Sequence, residues 1–417
     1  MHRVTARCCF LLVAAFCALS ASSVVAADDD AAKAKAEKAV IKPTKVIRQP
    51  PVQAVRVLDD NSVLVVHSHV TGLDQLFNKK AAVDGKRSSA PGRFGWSKWE
   101  LSSGRQLHSV TKELPFAVQG AIVSPDGSWV GVYGLVFDQQ TETPTSASVA
   151  VWDTKSGRKI SAWKVFGAFI FDVAVAPSGK RIVLATQKVG SDVNDLDALA
   201  SSVQIWRVSK GKHERTLLDE KRGVFPTVGF DRKGDRLWVC AGRFAMGSKT
   251  TKKSPPSKNF VLVWRTRDWK QIRRVDFPDG PFARPIPHLI GSRIFALSRG
   301  FLGSGGMELW DLQTGAKLKT FEFKVQPSAF VSSLSPDGKR LAFLNQVGSS
   351  FTLSKRVNPP KVIYEIAVVD IQSGTVIARL REPKSRATAF SFTKDGRQII
   401  SGSSDGSIRI WKLPAAR

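Results

Sequence analysis

One four-residue turn pattern recurs along the chain and constrains its fold more than any other feature. Each copy lies between two short runs rich in Val, Ile and Phe. Glycine supplies the positive φ that such a reversal needs, and proline sets the φ before it. We therefore predict a β-hairpin at every copy. The copies are Ser124–Gly127, Ala176–Gly179, Asp231–Gly234, Ser335–Gly338 and Thr393–Gly396.

A second pattern follows each hairpin: an alternating strand that ends in Trp, then a polar turn that contains Gly. Successive copies are separated by 53, 54, 58 and 46 residues, and Val369 and Trp411 continue the register. No helical period of useful length appears beyond the N-terminal segment. These features predict an all-β chain built from a sevenfold repeat. The Trp residues that define the spacing are Trp99, Trp152, Trp206, Trp264 and Trp310.

The last repeat carries a resemblance to a known family. Ser401–Trp411 reads Ser-Gly-Ser-Ser-Asp-Gly-Ser-Ile-Arg-Ile-Trp, which is similar almost position by position to the repeat of the WD-repeat β-propellers. Over about residues 45–413 the chain resembles WD-repeat propellers of a secreted bacterial type with degenerate repeats. The family's Gly-His dipeptide is absent, and intact Trp-Asp pairs remain only at Trp152-Asp153 and Trp310-Asp311. Most of the family's His–Ser–Trp–Asp hydrogen-bond network is therefore missing.

The repeat count predicts the fold class: all-β, with a single seven-bladed β-propeller over residues 45–417. A four-stranded blade with two apolar faces needs a neighbour on each side, and a closed ring leaves only short protected edges. The last repeat ends directly after its Trp strand, so its fourth strand is missing. We expect the N-terminal strand Lys45–Arg48 to complete that blade by pairing with Ile408–Lys412, which would close the ring.

The N-terminal residues have the composition of a secretion signal. In residues 1–27, basic residues precede the apolar run Cys8–Leu19, and a small-residue cleavage site follows. We expect an exported protein, periplasmic or extracellular, cleaved near residue 27. The alternative is an uncleaved anchor, because Cys8–Ala27 is about the length that spans a bilayer, and only then would the chain attach to a membrane. Residues 28–44 are rich in Ala and Lys, which predicts a solvated tether.

The cysteines and short motifs predict no disulfide, metal or cofactor. Three of the four cysteines lie inside the signal, and Cys240 lies in an apolar run typical of a buried small residue. Asp192–Asp197 superficially resembles a calcium loop but lacks the required Gly and Glu. Gly402–Gly406 fits G-x-S-x-G, yet it joins two strands, whereas a nucleophile elbow joins a strand to a helix.

Charge indicates where a partner could bind. The formal net charge is +28, which favours polyanions. The segments between the second and third strands vary most in length, and such insertions often mark the binding face of a repeat protein. Three of them are basic, whereas those of the second and third repeats carry acidic residues. The candidate binding residues are Lys79, Lys80, Lys86, Arg87, Arg93, Lys249, Lys252, Lys253, Lys258, Lys355 and Arg356.

These features lead to one hypothesis and one alternative. The hypothesis is an exported, non-catalytic binding scaffold, monomeric, that docks a protein or an anionic polymer on this loop face. Basic loops could equally be solvated surface without a partner. Nucleic acid is disfavoured because few aromatic residues interleave the basic ones. The alternative is an axial-site propeller enzyme, lactonase-like or glycan-cleaving, for which Asp172 and His288 are the obvious candidates near the axis.

Overall fold

A computed structural model gives the fold of the chain. It describes residues 40–68, 92–138, 144–188, 200–220, 227–241, 259–277, 283–290, 294–299, 307–321, 326–347, 363–382 and 385–414. Within these ranges the regular structure consists of β-strands and one short 3-10 turn at Val208–Lys210. No helix in the described ranges is long and apolar enough to cross a lipid bilayer. The all-β prediction is confirmed.

The strands are short and follow one another closely. In chain order they are β1 Val40–Ile41, β2 Lys45–Arg48, β3 Val52–Asp59, β4 Ser62–Ser68, β5 Gly92–Glu100, β6 Gln106–Leu114, β7 Ala117–Val123, β8 Trp129–Phe137, β9 Pro144–Asp153, β10 Lys159–Phe166, β11 Ala168–Val175, β12 Arg181–Lys188, β13 Ser201–Arg207, β14 Lys212–Glu220, β15 Thr227–Phe230, β16 Arg236–Ala241, β17 Asn259–Arg265, β18 Lys270–Phe277, β19 Ala283–Ile290, β20 Ile294–Arg299, β21 Met307–Asp311, β22 Lys317–Phe321, β23 Gln326–Leu334, β24 Arg340–Val347, β25 Ile363–Asp370, β26 Val376–Glu382, β27 Ala387–Phe392, β28 Gln398–Ser403 and β29 Ser407–Lys412.

These strands form sheets that we number in chain order of their innermost strands. Sheets 1 to 5 are four-stranded antiparallel meanders, β3–β6, β7–β10, β11–β14, β15–β18 and β19–β22. Sheet 6 contains β23–β26, and β1 adds a fifth strand in parallel to the outer edge of β26. Sheet 7 contains β27–β29, and β2 pairs antiparallel with β29, with Lys45 opposite Ile410.

Apolar clusters between neighbouring sheets hold the propeller together. Leu237 of sheet 4 packs in one cluster with Val183 of sheet 3, and both side chains are fully buried. In another, Ile47 of β2 and Ile408 of β29 pack with Val63 of sheet 1. The innermost strands β3, β7, β11, β15, β19, β23 and β27 contact one another in this order, and β27 also contacts β3. The architecture is that of an all-β propeller.

The predicted hairpin turns are confirmed, since each joins the first and second strands of a sheet. Their glycines have φ between +68° and +79°. At Gly127 a side chain is also excluded by space, because an added Cβ would lie 2.2 Å from Cδ2 of Leu58. The turns between third and fourth strands also place glycine at positive φ, except in sheet 4. There Trp269 adopts φ +55° and packs against the core between sheets 3 and 4.

The alternating strand directions define two faces. The turns between first and second strands, and between third and fourth, lie at one end of the sheets, which we call the turn face. The connections between second and third strands, and from one sheet to the next, lie at the other end, the loop face. The described strand ends on either side of the variable segments, such as Ser68 and Gly92, therefore lie at the loop face.

Candidate functional site

The sequence assigns the candidate binding residues to the loop face, and most of them lie outside the described residues. These are Lys79, Lys80, Lys86, Arg87, Lys249, Lys252, Lys253, Lys258, Lys355 and Arg356. The remaining candidate, Arg93, is described.

Arg93 lies in strand β5 and not in a loop, which corrects its predicted position. The strand that leads to Trp99 starts earlier than expected, because Phe94 and Trp96 are buried and pair with β4. The Arg93 side chain is 62% exposed, and its Nε lies 3.4 Å from Oε1 of Glu113. Exposed pairs of this kind contribute about 0–1 kcal/mol. Arg93 is therefore available at the surface, although a carboxylate already balances part of its charge.

The axial candidate Asp172 is occupied by structural hydrogen bonds. Its Oδ1 accepts from the backbone N–H of Val173, and its Oδ2 accepts from the N–H of Val228 in sheet 4, both at 2.9 Å. The carboxylate thus links the innermost strands of two neighbouring sheets. Thr388 plays a similar part between sheets 7 and 1, where its hydroxyl donates to the carbonyl of Val52 at 2.7 Å.

The residues that the structure describes around Asp172 form no metal-binding cluster. The side chain of His288 lies outside the described residues. Among the residues that the structure does describe, no group of three His, Cys, Asp or Glu side chains could hold a metal ion. Cys240 is buried as predicted, and this burial raises the pKa of its thiol well above the ordinary value, with a further contribution from Asp172. A thiol held protonated in this way is a poor nucleophile.

Sequence reasoning missed how the repeated Trp residues satisfy their indole N–H groups. Trp411 donates to Ser401 Oγ at 2.9 Å, as the resemblance implies for the last repeat. Trp206 instead donates to Gln204 Oε1, and Trp310 to Glu308 Oε2, both at 3.1 Å. In both cases the acceptor lies two residues before the Trp on the same strand. A polar residue two positions before a Trp is therefore the sequence pattern that indicates this hydrogen bond. Local partners thus replace the family network that is missing from these repeats.

A buried ionic cluster in sheet 6 was also missed. Glu365 is fully buried, and its Oε1 accepts from Arg379 Nη1 at 2.5 Å and from Asn345 Nδ2 at 2.9 Å. Arg381 Nη2 lies 3.8 Å from the other carboxylate oxygen. The sequence shows only alternating polar residues on adjacent strands, and the pairing register brings Asn345, Glu365 and Arg381 into one row. Arg379 and Asn345 thus provide hydrogen bonds to a carboxylate that has no access to solvent.

Short turns hold ionised aspartates on both faces. On the turn face, the hydroxyl of Thr393 and the backbone N–H of Arg397 keep the pKa of Asp395 below its ordinary value. In the Ser404–Gly406 turn, burial alone would raise the pKa of Asp405. Bonds from Ser407 and Arg409 outweigh it and lower the pKa to about 2. These carboxylates fix turn geometry, and their protons are not available near neutral pH.

The propeller architecture, the hairpin turns and the Trp strands are similar to those of the WD-repeat type of β-propeller. The family described as "WD domain, G-beta repeat" matches residues 374–412, which cover β26 of sheet 6 and β27–β29 of sheet 7. This match and the fold together support the WD-repeat propeller family. A WD-repeat propeller fits a non-catalytic role in protein binding.

Curated relatives share parts of this chain. Autophagy-related protein 16 of Arabidopsis thaliana is 25% identical over 313 residues, which cover 73% of this chain and 52% of that protein. Eukaryotic translation initiation factor 3 subunit I of Phaeosphaeria nodorum is 33% identical over 116 residues, 26% of this chain and 32% of that protein. The chain thus spans about half the length of the Arabidopsis relative and less of the fungal one. Both come from eukaryotes and give no support to the secreted bacterial type.

Proposed function

We propose that this protein is an exported, non-catalytic scaffold whose loop face docks a protein or an anionic polymer. The observation that carries the proposal is the use of Asp172. Both of its carboxylate oxygens accept backbone hydrogen bonds within the wall of the propeller, so the described axial carboxylate serves the fold. The variable segments of the loop face are then the place where this chain differs most from a plain repeat.

Charge supports an anionic partner for that face. The segment of the fourth repeat carries Arg243, Lys249, Lys252, Lys253 and Lys258 without an acidic residue. A cluster of this kind binds polyanions by releasing their counterions, so the affinity falls steeply as salt rises. The net charge of +28 would also attract polyanions without any particular site. A test must therefore separate a local cluster from the general field.

Charge reversal on two faces provides that separation. The first variant changes Lys249, Lys252, Lys253 and Lys258 to Glu on the loop face. The matched control changes four exposed lysines on the turn face whose side chains have no described hydrogen bond. Because both variants alter the net charge equally, general attraction falls by the same amount in each. The control set is Lys155, Lys210, Lys233 and Lys394.

The readout is elution from immobilised heparin, together with the dependence of affinity on salt. We expect the loop-face variant to elute at lower salt and to show a shallower logarithmic salt dependence than the control. The melting temperatures should stay close to the parent value, since surface substitutions usually change stability by less than about 0.5 kcal/mol. Equal elution of the two variants would refute a localised anion-binding face.

We also propose that the seven sheets are the blades of one closed ring and that β2 is its closing strand. Three contacts support this closure beyond the pairing of β2 with β29. Lys45 Nζ donates to the carbonyl of Ser102 in sheet 1 at 2.7 Å. Gln49 Oε1 accepts from Ser97 Oγ at 3.0 Å and from Trp99 Nε1 at 3.2 Å. The N-terminal strand would thus join the last blade to the first.

Export rests on the composition of residues 1–27. If this segment is a cleaved signal, the mature protein begins near residue 27, and an intact-mass spectrum of the protein from its native source should show that terminus. Recovery of a chain that still contains residues 1–20 would count against cleavage and favour the anchor.

A further inference from the structure

The outer strands share a β-bulge beside the repeated Trp strand. In sheets 1, 2, 4 and 5 the pairing skips one residue of the outer strand, directly after the residue that faces the Trp. A bulge leaves this extra residue outside the regular ladder and re-aims its side chain. The skipped residues are Leu107 in β6, Ile160 in β10, Ile272 in β18 and Leu318 in β22.

All four bulge residues are apolar and exposed. Their exposed fractions lie between 37% and 53%. Val46, the second residue of β2 in sheet 7, is a further exposed apolar side chain at this end of an outer strand. Together they are five of the six large apolar residues that stay exposed in the described part of the chain. We call these five residues the apolar rim.

The apolar rim lies beside the turn face. Each of its residues is the second or third of an outer strand, and the outer strands begin at that face. At about 3.3 Å per residue, the rim lies within about 7 Å of the strand starts. Isolated exposed apolar residues are common on protein surfaces, but these recur near one level in five sheets. A flat surface placed against the turn face would therefore meet them together.

Sheets 3 and 6 use the bulge position differently. In sheet 3 the skipped residue is Glu214, whose carboxylate pairs with Arg181 and Arg207. In sheet 6 it is Ile377, which packs against the apolar cluster between sheets 6 and 7. The rim residues of sheets 1 and 2 are thus separated by sheet 3 from those of sheets 4 and 5. A partner that contacts all of them has to extend across the turn face.

Basic residues accompany the rim. Arg105, Lys159, Lys270 and Lys317 are exposed, and each lies within two positions of a rim residue. The described turns of the turn face, together with the strand residue on either side of each turn, carry 20 basic and 12 acidic residues, a net charge of +8. Exposed apolar side chains flanked by Lys and Arg are the features that bind a protein to the interface of an anionic bilayer.

We propose that the turn face docks on an anionic lipid bilayer and that the apolar rim inserts among the headgroups. A bilayer is flat and extended, so it contacts the rim residues of separate sheets at the same time. Apolar side chains enter its interface to a depth of about 5–10 Å, which matches the level of the rim. The loop face then points away from the lipid, and the proposal is independent of any ligand there.

Site-specific fluorescence tests this contact. The chain from residue 28 contains every described strand and lacks the apolar run of the signal, and its single cysteine, Cys240, is buried. Leu107→Cys, Ile272→Cys and Leu318→Cys each place an environment-sensitive fluorophore on the rim. The matched control, Phe166→Cys, places it on the loop face, where Phe166 is exposed at the end of β10. The vesicles contain phosphatidylcholine and phosphatidylserine in equal amounts, with brominated acyl chains as the quencher.

We expect the protein to bind these vesicles and not vesicles of phosphatidylcholine alone. All three rim fluorophores should shift to the blue and be quenched, whereas the emission from position 166 should stay unchanged. Absence of binding to the anionic vesicles, or equal binding to both kinds, would refute the proposal. Quenching at position 166 would reverse the orientation, and binding with fewer than three quenched rim positions would exclude flat docking through the rim.

Substitution of the rim separates insertion from attraction by charge. Changing Leu107, Ile160, Ile272 and Leu318 together to Ser leaves the net charge as it is and should weaken vesicle binding at least about tenfold, since burial of apolar surface is lost. Phe166→Ser, which removes an exposed apolar side chain from the loop face, should leave binding unchanged. Both variants should melt close to the parent, because the changed residues are exposed. Equal binding of the two variants would overturn the proposal.

Discussion

Removal of the closing strand is the sharpest test of the ring. We consider deletion of residues 44–49, which removes β2 and the residues on either side of it. The backbone N–H of Thr44 donates to Ile410, and that of Gln49 donates to Gly406, both at 2.8 Å. With the ladder between β2 and β29, about four backbone hydrogen bonds are lost, each with a net contribution of about 0.5–1.5 kcal/mol.

Apolar burial adds to this loss. Ile47 is 9% exposed and packs between sheets 7 and 1, and burial of such a side chain contributes about 1.5–3 kcal/mol. Together with the hydrogen bonds, the deletion should remove about 4–9 kcal/mol. Since whole domains are stable by about 5–15 kcal/mol, we expect the ring to open or the chain to unfold.

Two substitutions in β2 give a graded version of the same test. Ile47→Ala should cost about 2–5 kcal/mol, as is typical of buried aliphatic side chains. Val46→Ala is the matched control, because Val46 is the next residue of the strand and is 48% exposed. It should cost about 0.5 kcal/mol or less. Urea unfolding followed by tryptophan fluorescence measures both. Equal midpoints for the two variants, with a deletion variant as stable as the parent, would refute closure by β2.

Three further predictions concern the side chains of Asp172, Asp405 and Cys240. Asp172→Ala should lower stability by about 1–3 kcal/mol, because the N–H of Val228 loses its acceptor; an unchanged urea midpoint would contradict this role. Asp405 has a pKa of about 2 in the folded chain and about 3.9 when unfolded. The contribution of Asp405 to the free energy of unfolding is therefore fully present above about pH 3.9 and is lost as the pH falls towards about 2. Asp405→Asn should flatten the loss of stability with acid, measured as the urea midpoint against pH, and a parallel curve would count against it. Cys240 should resist thiol reagents until the chain unfolds, since burial raises its pKa; rapid labelling of native protein would show an accessible thiol.

The candidate site was only partly predictable from the sequence. Residue types and charge identify Asp172 as an unusual carboxylate near the axis, but its role depends on Val228, which is 56 residues away. From the sequence, Arg93 counts among the basic loop residues of the first repeat. The buried positions of Phe94 and Trp96 place it in a strand instead. Whether a residue lies in a strand or a loop depends here on which neighbouring strands pair with it and bury it. The local sequence does not contain that information.

What the sequence determines by itself is the repeating unit. The five predicted hairpins form because glycine tolerates a positive φ that other residues rarely adopt, and this preference acts within four residues. Alternating apolar residues likewise specify strands that need a sheet on each side. Only the tertiary structure decides which distant segments pair. Val40–Ile41 pairs with β26, which is more than 300 positions later in the sequence. The pairing of β24, β25 and β26 likewise brings Asn345, Glu365 and Arg381 into one row. Backbone groups can form the same hydrogen bonds with any strand, so they do not select a partner. The packing of side chains between neighbouring sheets decides which strands pair.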